Sequence, residues 1–531
     1  MPSDKTVTFD PRGGGPLATG GAGGGDLTDE LIRTDYWTDQ MVAEAGIPVI
    51  ETPFVTVGGG LGSFVMVDYL RIAGVPTDRI TVLTQLDKPH QQYSQLCRNS
   101  QIPPRERLRS DSASRPDNIW GFPSYAFTEA RAERTLKPLW NVFTEPILAN
   151  YWTPRAGTAF RALEKEVERI GWPSMLAKGQ VRMVRRRIGG GYFTILTPPP
   201  GTSGTKRIAY RSQFVHLAVG YPALRYLEDL QKYRQTYKDY AYRAVNAYEP
   251  HEHVYEELRR RPGVVLVRGS GIVASRILQR LIEDRDHNGA MTVVTHLFRT
   301  YRDASSRDYR RFGLVKRPVK DGWAFQGFNI TKASWGGQHR KKLLKLEGED
   351  RKAFFTYIDG GGHTPHRKDW KEQLARGKAQ GFYRQHIGEV QDVFPAQDGK
   401  SVITRVRGRG GETTDIQATF IIDCTGLVGS PRDHRLLADL LDHGGAGTNA
   451  LNRLDCGHVF EVRGAQSVPG KLYASGVATY GGYYGGVDSF LGLQYQAQRI
   501  YEDLAKQGFG KRIGPLRSTR QWIKWMRGKQ P

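Results

Sequence analysis

Hydrophobic positions are sparse and unpatterned over residues 1–27. There Gly13-Gly14-Gly15, Gly20-Gly21 and Gly23-Gly24-Gly25 predict a flexible tail. Helical spacing begins over 28–48. Residues 52–57 then form an apolar, β-branched run that predicts a buried strand. Gly58-Gly59-Gly60-Leu61-Gly62-Ser63 follows at once, then a helical pattern over 64–70 and a second strand over 80–83. The unit of strand, glycine turn, helix and strand spans about 33 residues, the size of a βαβ motif. The same order recurs with a strand over 264–267, Gly269-Ser270-Gly271-Ile272-Val273-Ala274, a helix over 275–282 and a strand over 291–294.

Between and beyond these units the pattern is more broken. Residues 88–150 read as irregular, 157–171 as an amphipathic helix, and 181–184, 192–196 and 214–218 as strands. Residues 224–247 look helical and Tyr-rich. Strand patterns return around 383–406, at 419–422 and at 472–474, and a helix is expected over 489–504. No short repeat is visible; the two glycine-turn units are the internal similarity.

Composition narrows the classes. The 531 residues are 39% hydrophobic and 25% charged, enough to bury several cores. No apolar run approaches the roughly 18 residues of a membrane span, and the N-terminus lacks a signal-peptide core. Cys97, Cys424 and Cys456 form no C-x-x-C pair, so neither a disulfide framework nor a zinc site is expected. A cytoplasmic setting fits that usage. Two histidines in a glycine-rich loop, His363 and His366, are too few to hold a metal, and none is expected. The net charge of +23 is spread in short clusters, with no zinc-finger, RRM or basic-zipper pattern. It predicts a solvated basic surface rather than a nucleic-acid reader.

The glycine turns carry the chemistry. Between a strand and a helix, the first Gly permits the tight turn, the second lets a pyrophosphate approach the backbone, and the third allows close packing. The helix N-terminus offers unpaired N–H groups to the phosphates. Gly58, Gly60 and Ser63 take these places in the first unit, with Leu61 and Gly62 between. Gly269, Gly271 and Ala274 take them in the second. An acid normally ends the second strand and binds the ribose hydroxyls. After Leu83 it is missing, with Asp87 a late substitute. After Val294 no acid is near, but Arg299 and Arg302 are, which favours a 2′-phosphate and so NADP. Arg107 and Arg109 are candidate phosphate partners, because guanidinium forks match phosphate oxygens.

Two further apolar strands end in small residues, at Ala218-Val219-Gly220 and Cys424-Thr425-Gly426. With the two fingerprints they resemble the two-dinucleotide-domain flavoproteins. In that superfamily such turns link an FAD domain to an inserted NAD(P) domain. The stretch from Leu472 through Gly476 and Val477 to Asp488, Ser489 and Leu491 is similar to the segment where strand and helix N-terminus meet the flavin. The layout resembles most closely the FAD- and NADPH-dependent monooxygenases. The resemblance implies an α/β fold: a Rossmann-like FAD domain in two parts, 28–225 and 416–531, with a Rossmann-like NADP domain inserted over 226–415. It also implies hydride transfer from NADPH to FAD, and oxygenation of a small-molecule heteroatom. The departures are Ser63 for the third Gly, the missing acid, and Val477 where an Asp usually holds the ribityl chain. The motif of ketone-oxidising members is matched at Phe325, Gly327 and Trp335, but Thr331 occupies its His position, which argues against ketone oxidation. Two other readings stay open. One is a flavin reductase serving a quinone or protein acceptor. The other is a non-catalytic protein that binds a nucleotide or polyanion.

Overall fold

The computed structural model describes residues 25–108, 117–120, 124–148, 154–202, 206–221, 223–224, 226–299, 338–358 and 368–531. Two parallel five-stranded sheets organise it. The first has the order Lys471–Ala474, Phe214–Leu217, Phe54–Val57, Ile80–Thr84, Leu176–Lys178. The second has the order Ala244–Asn246, Phe420–Asp423, Gly263–Arg268, Thr292–Phe298, Tyr383–Ile387. The central strands are largely buried because helices or further layers cover both faces. Phe54–Val57 and Phe420–Asp423 are buried at every position.

Each glycine turn leads into a helix that packs back on its own sheet. Leu61–Ile72 buries Phe64, Met66 and Leu70 against Ile500 and Leu504 of the helix Phe490–Lys506. Ile272–Asn288 buries Ile277 and Leu278 against Val265, Val267 and Ile422. A mixed sheet of five strands flanks the first parallel sheet, and a three-stranded antiparallel sheet (Glu389–Pro395, Val402–Arg407, Thr413–Ala418) is inserted into the second between Tyr383–Ile387 and Phe420–Asp423. The chain crosses between the two units twice. The crossings pair with each other, Ala223–Leu224 running antiparallel to Leu427–Val428.

Several expectations are corrected. The boundary expected at 416 falls too early, because Phe420–Asp423 completes the inserted sheet and the chain returns only afterwards. The stretch 88–150, read as irregular, contains the helices Gln91–Asn99, Ser124–Glu133 and Lys137–Leu148. The Tyr-rich stretch is not one helix. Glu228–Thr236 gives way to a 3₁₀ turn, Lys238–Arg243, and then to the strand Ala244–Asn246. The strand Leu176–Lys178 was missed because it is short and half-buried at every position, as an edge strand is.

A buried ionic cluster fastens the first turn's helix. Asp68 on Leu61–Ile72 meets Glu166 and Arg169 on the helix Ala156–Ile170, where Arg169 Nε donates to Glu166 Oε2 at 2.7 Å. Burial, and then the Glu166 carboxylate, hold the Asp68 carboxyl well above its usual 3.8. Below about pH 4 Asp68 is protonated folded or unfolded; above it the unfolded chain ionises first, which lowers stability as pH rises. Asp68→Asn cannot ionise, so it is expected to gain on the parent protein between about pH 4 and pH 7. Arg169→Gln strands the carboxylates and is expected to cost about 3–5 kcal/mol. Urea denaturation at both pH values checks the pair.

Candidate active site

The first glycine turn and the helix after the second turn line one cleft of about 330 Å³ between the two units. Gly58, Gly60, Leu61 and Gly62 form one wall, and Ile272, Val273 and Arg276 approach from the other unit. The crossings contribute Gly220, Tyr221 and Leu427, and the returning chain contributes Ser475, Gly476, Val477 and Asp488. Arg276 is ion-paired with Glu106 across the gap at 2.5 Å, and Asn99 Nδ2 donates to Tyr248 O at 2.7 Å. These contacts hold the two sides of the cleft together.

Local packing explains why the first turn is glycine. Gly58 has φ +123°, and a Cβ there would overlap the Ala218 carbonyl of the neighbouring strand's end. A Cβ on Gly59 would overlap the Thr84 side chain. At Gly60 no atom lies within 4 Å of a Cβ, so this glycine leaves room for something other than protein. The helix Leu61–Ile72 starts there without a side-chain cap, and the first N–H to bond back is that of Phe64, to Gly60 O at 3.0 Å. The preceding N–H groups stand at the cleft wall, where an anion can satisfy them.

Ser63, at the third position, packs without a glycine's lack of side chain. It is fully buried, and its hydroxyl points into the core, where it accepts from Thr56 Oγ1 at 2.9 Å. Thr56 in turn contacts His216 Nδ1, and His216 Nε2 meets Ser475 Oγ, each at 2.9 Å. Burial pushes the His216 pKa down to about 3, so the ring is neutral and links core to cleft by hydrogen bonds alone. The third position therefore packs the helix onto the strand and places no side chain in the cleft.

The strand end that normally carries an acid holds Thr84. Its hydroxyl donates to Gly58 O at 3.1 Å and accepts from Leu86 N at 2.9 Å, so it shapes the turn. Asp87 is exposed and paired with Lys178 Nζ at 2.6 Å; it does not substitute for the acid in the cleft wall. Arg107 lines the cleft, but its guanidinium is held by Glu129, with Nη1 to Oε2 at 3.1 Å. Arg109 lies outside the described residues.

In the second unit Gly269 has φ +114°, and a Cβ there would lie 2.8 Å from Cys424 O. Gly271 opens the helix Ile272–Asn288 without a side-chain cap, and Ala274 is fully buried against the sheet. His296 Nε2 donates to Gly269 O at 2.6 Å while Nδ1 accepts from Tyr383 at 2.9 Å. Burial pushes that histidine down to about 4. Arg299 is exposed just beyond the strand Thr292–Phe298; Arg302 lies outside the described residues, as do His363, His366 and the segment containing Phe325. Thr425 N donates to Asp423 Oδ1 at 3.0 Å, and Gly426 has φ +118° with open space around it. Cys424 is buried, and burial raises its thiol well above the usual value, so it acts as a small packing residue.

Of the C-terminal group, Gly476 lies at φ +77° with its N–H on Gln496 Oε1 at 2.9 Å. Asp488 accepts from Tyr221 across the cleft mouth at 2.6 Å. Ser489 caps the helix Phe490–Lys506, accepting from Gly492 N at 2.9 Å, so its hydroxyl is already used. Leu491 is buried in the core; Phe490 and Leu493 line the cleft instead. Sequence reasoning also missed Gln92, Tyr93 and Leu96, on the helix Gln91–Asn99. The signal was there: Tyr93, Leu96, Cys97 and Ser100 recur at helical spacing. Among the described residues, no group of three or more His, Cys, Asp or Glu could hold a metal.

No protein-family model and no curated protein matches the chain. Solved structures do. Ornithine hydroxylase PvdA from Pseudomonas aeruginosa matches 86% of this chain and 99% of its own, with TM-score 0.60 and 13% identity. DfoA, the cadaverine monooxygenase of desferrioxamine biosynthesis from Erwinia amylovora, solved with FAD, matches 87% of this chain and 96% of its own, with TM-score 0.62 and 12% identity. The ornithine N-hydroxylase KtzI of Kutzneria sp. 744, solved with reduced FAD, NADP+ and L-ornithine, matches 86% of this chain and 100% of its own, with TM-score 0.61 and 12% identity. At such identities the likeness is one of fold, and the chain has the fold of the two-dinucleotide-domain flavoproteins.

Proposed function

We propose that this chain is an FAD- and NADPH-dependent monooxygenase that transfers one oxygen atom to the nitrogen of a small amine. The observation that carries the reading is the single cleft reached by both glycine turns' units. A flavin and a nicotinamide must meet for hydride transfer, and one cleft between two nucleotide-binding units allows it. The space at Gly60, beside uncapped helix N–H groups, fits a pyrophosphate.

In this reading Gly58, Gly60, Leu61 and Gly62 bind the FAD pyrophosphate, with Gly220, Gly476 and Asp488 along the rest of the molecule. Gly269, Gly271 and Ala274 shape the NADP site, Thr425 and Gly426 form the return crossing beside it, and Arg299 faces the 2′-phosphate. Bound together, the cofactors would supply a hydride and a site for oxygen activation. The chain orients them and keeps water out with Leu96, Val477, Phe490 and Leu493. The amine substrate class comes from the fold's relatives, which act on ornithine and cadaverine. Passage of electrons to a disulfide finds no support in the three cysteines, since burial raises all three thiols.

The deciding experiment is an anaerobic absorption spectrum of the protein with FAD, titrated with NADPH and then NADH. The flavin band is expected to bleach faster with NADPH, and oxygen uptake in air should yield hydroxylated amine. A protein that gains no flavin band on incubation with FAD would overturn the reading. Reduction without coupled oxygenation would make it a reductase.

Two variants test the site. Gly60→Ala is expected to fold normally and to lose FAD affinity at least about tenfold, because its methyl group competes with phosphate approach. Gly58→Ala is expected to impair folding itself, by its overlap with Ala218. Thermal unfolding and flavin titration separate the two. Arg299→Ala should raise KM for NADPH about tenfold while leaving KM for NADH unchanged, since only NADPH presents a phosphate to it.

A further inference from the structure

The surplus positive charge has no place in the cleft, where Arg107 and Arg276 are each paired with a carboxylate. It concentrates elsewhere. From Leu504 to Pro531 the sequence holds eight Lys and Arg and no Asp or Glu. Within it lies the helix Pro515–Met526, which is fastened to the body by one face. Arg517 Nε donates to Ile72 O at 3.1 Å, Trp120 Nε1 donates to Ser518 Oγ at 3.0 Å, Gln521 is buried, and the Trp525 ring meets Trp120 at 5.9 Å.

The opposite face is unusual for a docked helix. Leu516, Arg520, Ile523 and Arg527 recur at helical spacing and form one outward stripe, with Trp522 and Met526 beside it. Leu516 is 89% exposed, Met526 62%, Trp522 43% and Ile523 39%. Apart from Trp525, the helix turns Arg517, Ser518 and Gln521 inward and keeps apolar side chains in water, interleaved with cations.

We propose that this face is a docking surface for an anionic lipid bilayer. Two properties of the stripe select that occupant. The cations demand a negative partner, and the apolar side chains gain only if that partner also offers a non-aqueous phase; a bilayer interface supplies both. A nucleic acid offers the charge without the apolar phase. A protein groove would have to wrap a helix whose other face is already occupied, whereas a flat lipid surface needs only the outer half. The attachment is peripheral: among the described residues no helix is long and apolar enough to cross a membrane.

The test uses the full chain and vesicles of phosphatidylcholine, with and without phosphatidylglycerol, in a sedimentation assay. Binding is expected only with phosphatidylglycerol, weakened by salt, with a blue shift of tryptophan fluorescence. Arg520→Gln with Arg527→Gln should weaken binding about fivefold per cation removed. Leu516→Ser with Ile523→Ser should weaken it by a similar factor at unchanged charge. Both double variants should keep the parent's thermal unfolding and flavin binding, since the substituted side chains face outward. Three results would overturn the proposal. The first is no sedimentation with phosphatidylglycerol vesicles at low salt. The second is undiminished binding by the Leu516/Ile523 variant. The third is equal affinity for duplex DNA with the same insensitivity to that variant. None depends on whether the cleft binds FAD.

Discussion

The structure depends on a backbone contact made twice. At Gly58 and again at Gly269 the turn after the first strand presses against the carbonyl at the end of the adjacent strand, that of Ala218 in one unit and of Cys424 in the other. Neither place admits a Cβ. Both carbonyls lie at the point where the chain leaves one sheet for the other, and Gly220 and Gly426 follow within two residues. The contact that shapes each turn therefore also fixes where a crossing begins. The two crossings then pair with each other. Turn, crossing and cleft are thus one mechanical unit, and a side chain added at either glycine would disturb all three.

Buried neutral hydrogen bonding holds those turns in place. Thr84 donates to the carbonyl of Gly58, and His296 donates to that of Gly269. Each is supplied by the strand after the turn's own helix. His216 does related work beneath the first turn, bridging Thr56 to Ser475 with both ring nitrogens used. Burial keeps His216 and His296 uncharged, which suits a region where an unpaired charge would be costly. At the other end of the first helix the balance is ionic: Arg169 offsets two carboxyls that burial would otherwise expel.

The two βαβ units were legible because each is local. A buried strand, a glycine turn and a helix are written in consecutive residues, and the strand ends at 217 and 423 were visible as apolar runs closing on small residues. What failed to show was whatever depended on a distant partner. Ser63 occupies a fingerprint position, yet its direction is set by Thr56 and, through it, by His216 in a strand 160 residues on from Thr56. Arg107 has the chemistry of a phosphate ligand, but Glu129 claims it. Leu491 and Phe490 differ by one residue, which on a helix is a rotation of about 100°, enough to exchange core for cleft. The boundary at 416 was misjudged for a similar reason: only pairing with Gly263–Arg268 reveals which sheet Phe420–Asp423 completes. The helix Gln91–Asn99 is the exception, since its spacing was present in the sequence and was masked by the Pro- and Arg-rich residues after it.

Charge follows the same division between local and distant. Read as a total, +23 says only that the surface is basic and solvated, not where its charge stands uncompensated. Placed on the fold, many cations are spoken for: Arg185 by Asp439, Arg268 by Asp229, Arg276 by Glu106. An arginine paired inside the body contributes little field at the surface, because its partner cancels it at short range. The helix Pro515–Met526 lies in a stretch of sequence without an acid, and it shows Leu516 and Met526 to water rather than to the body. The same residue type therefore has two roles, closing the cleft where a carboxylate faces it and leaving the surface open to an anionic phase where none does.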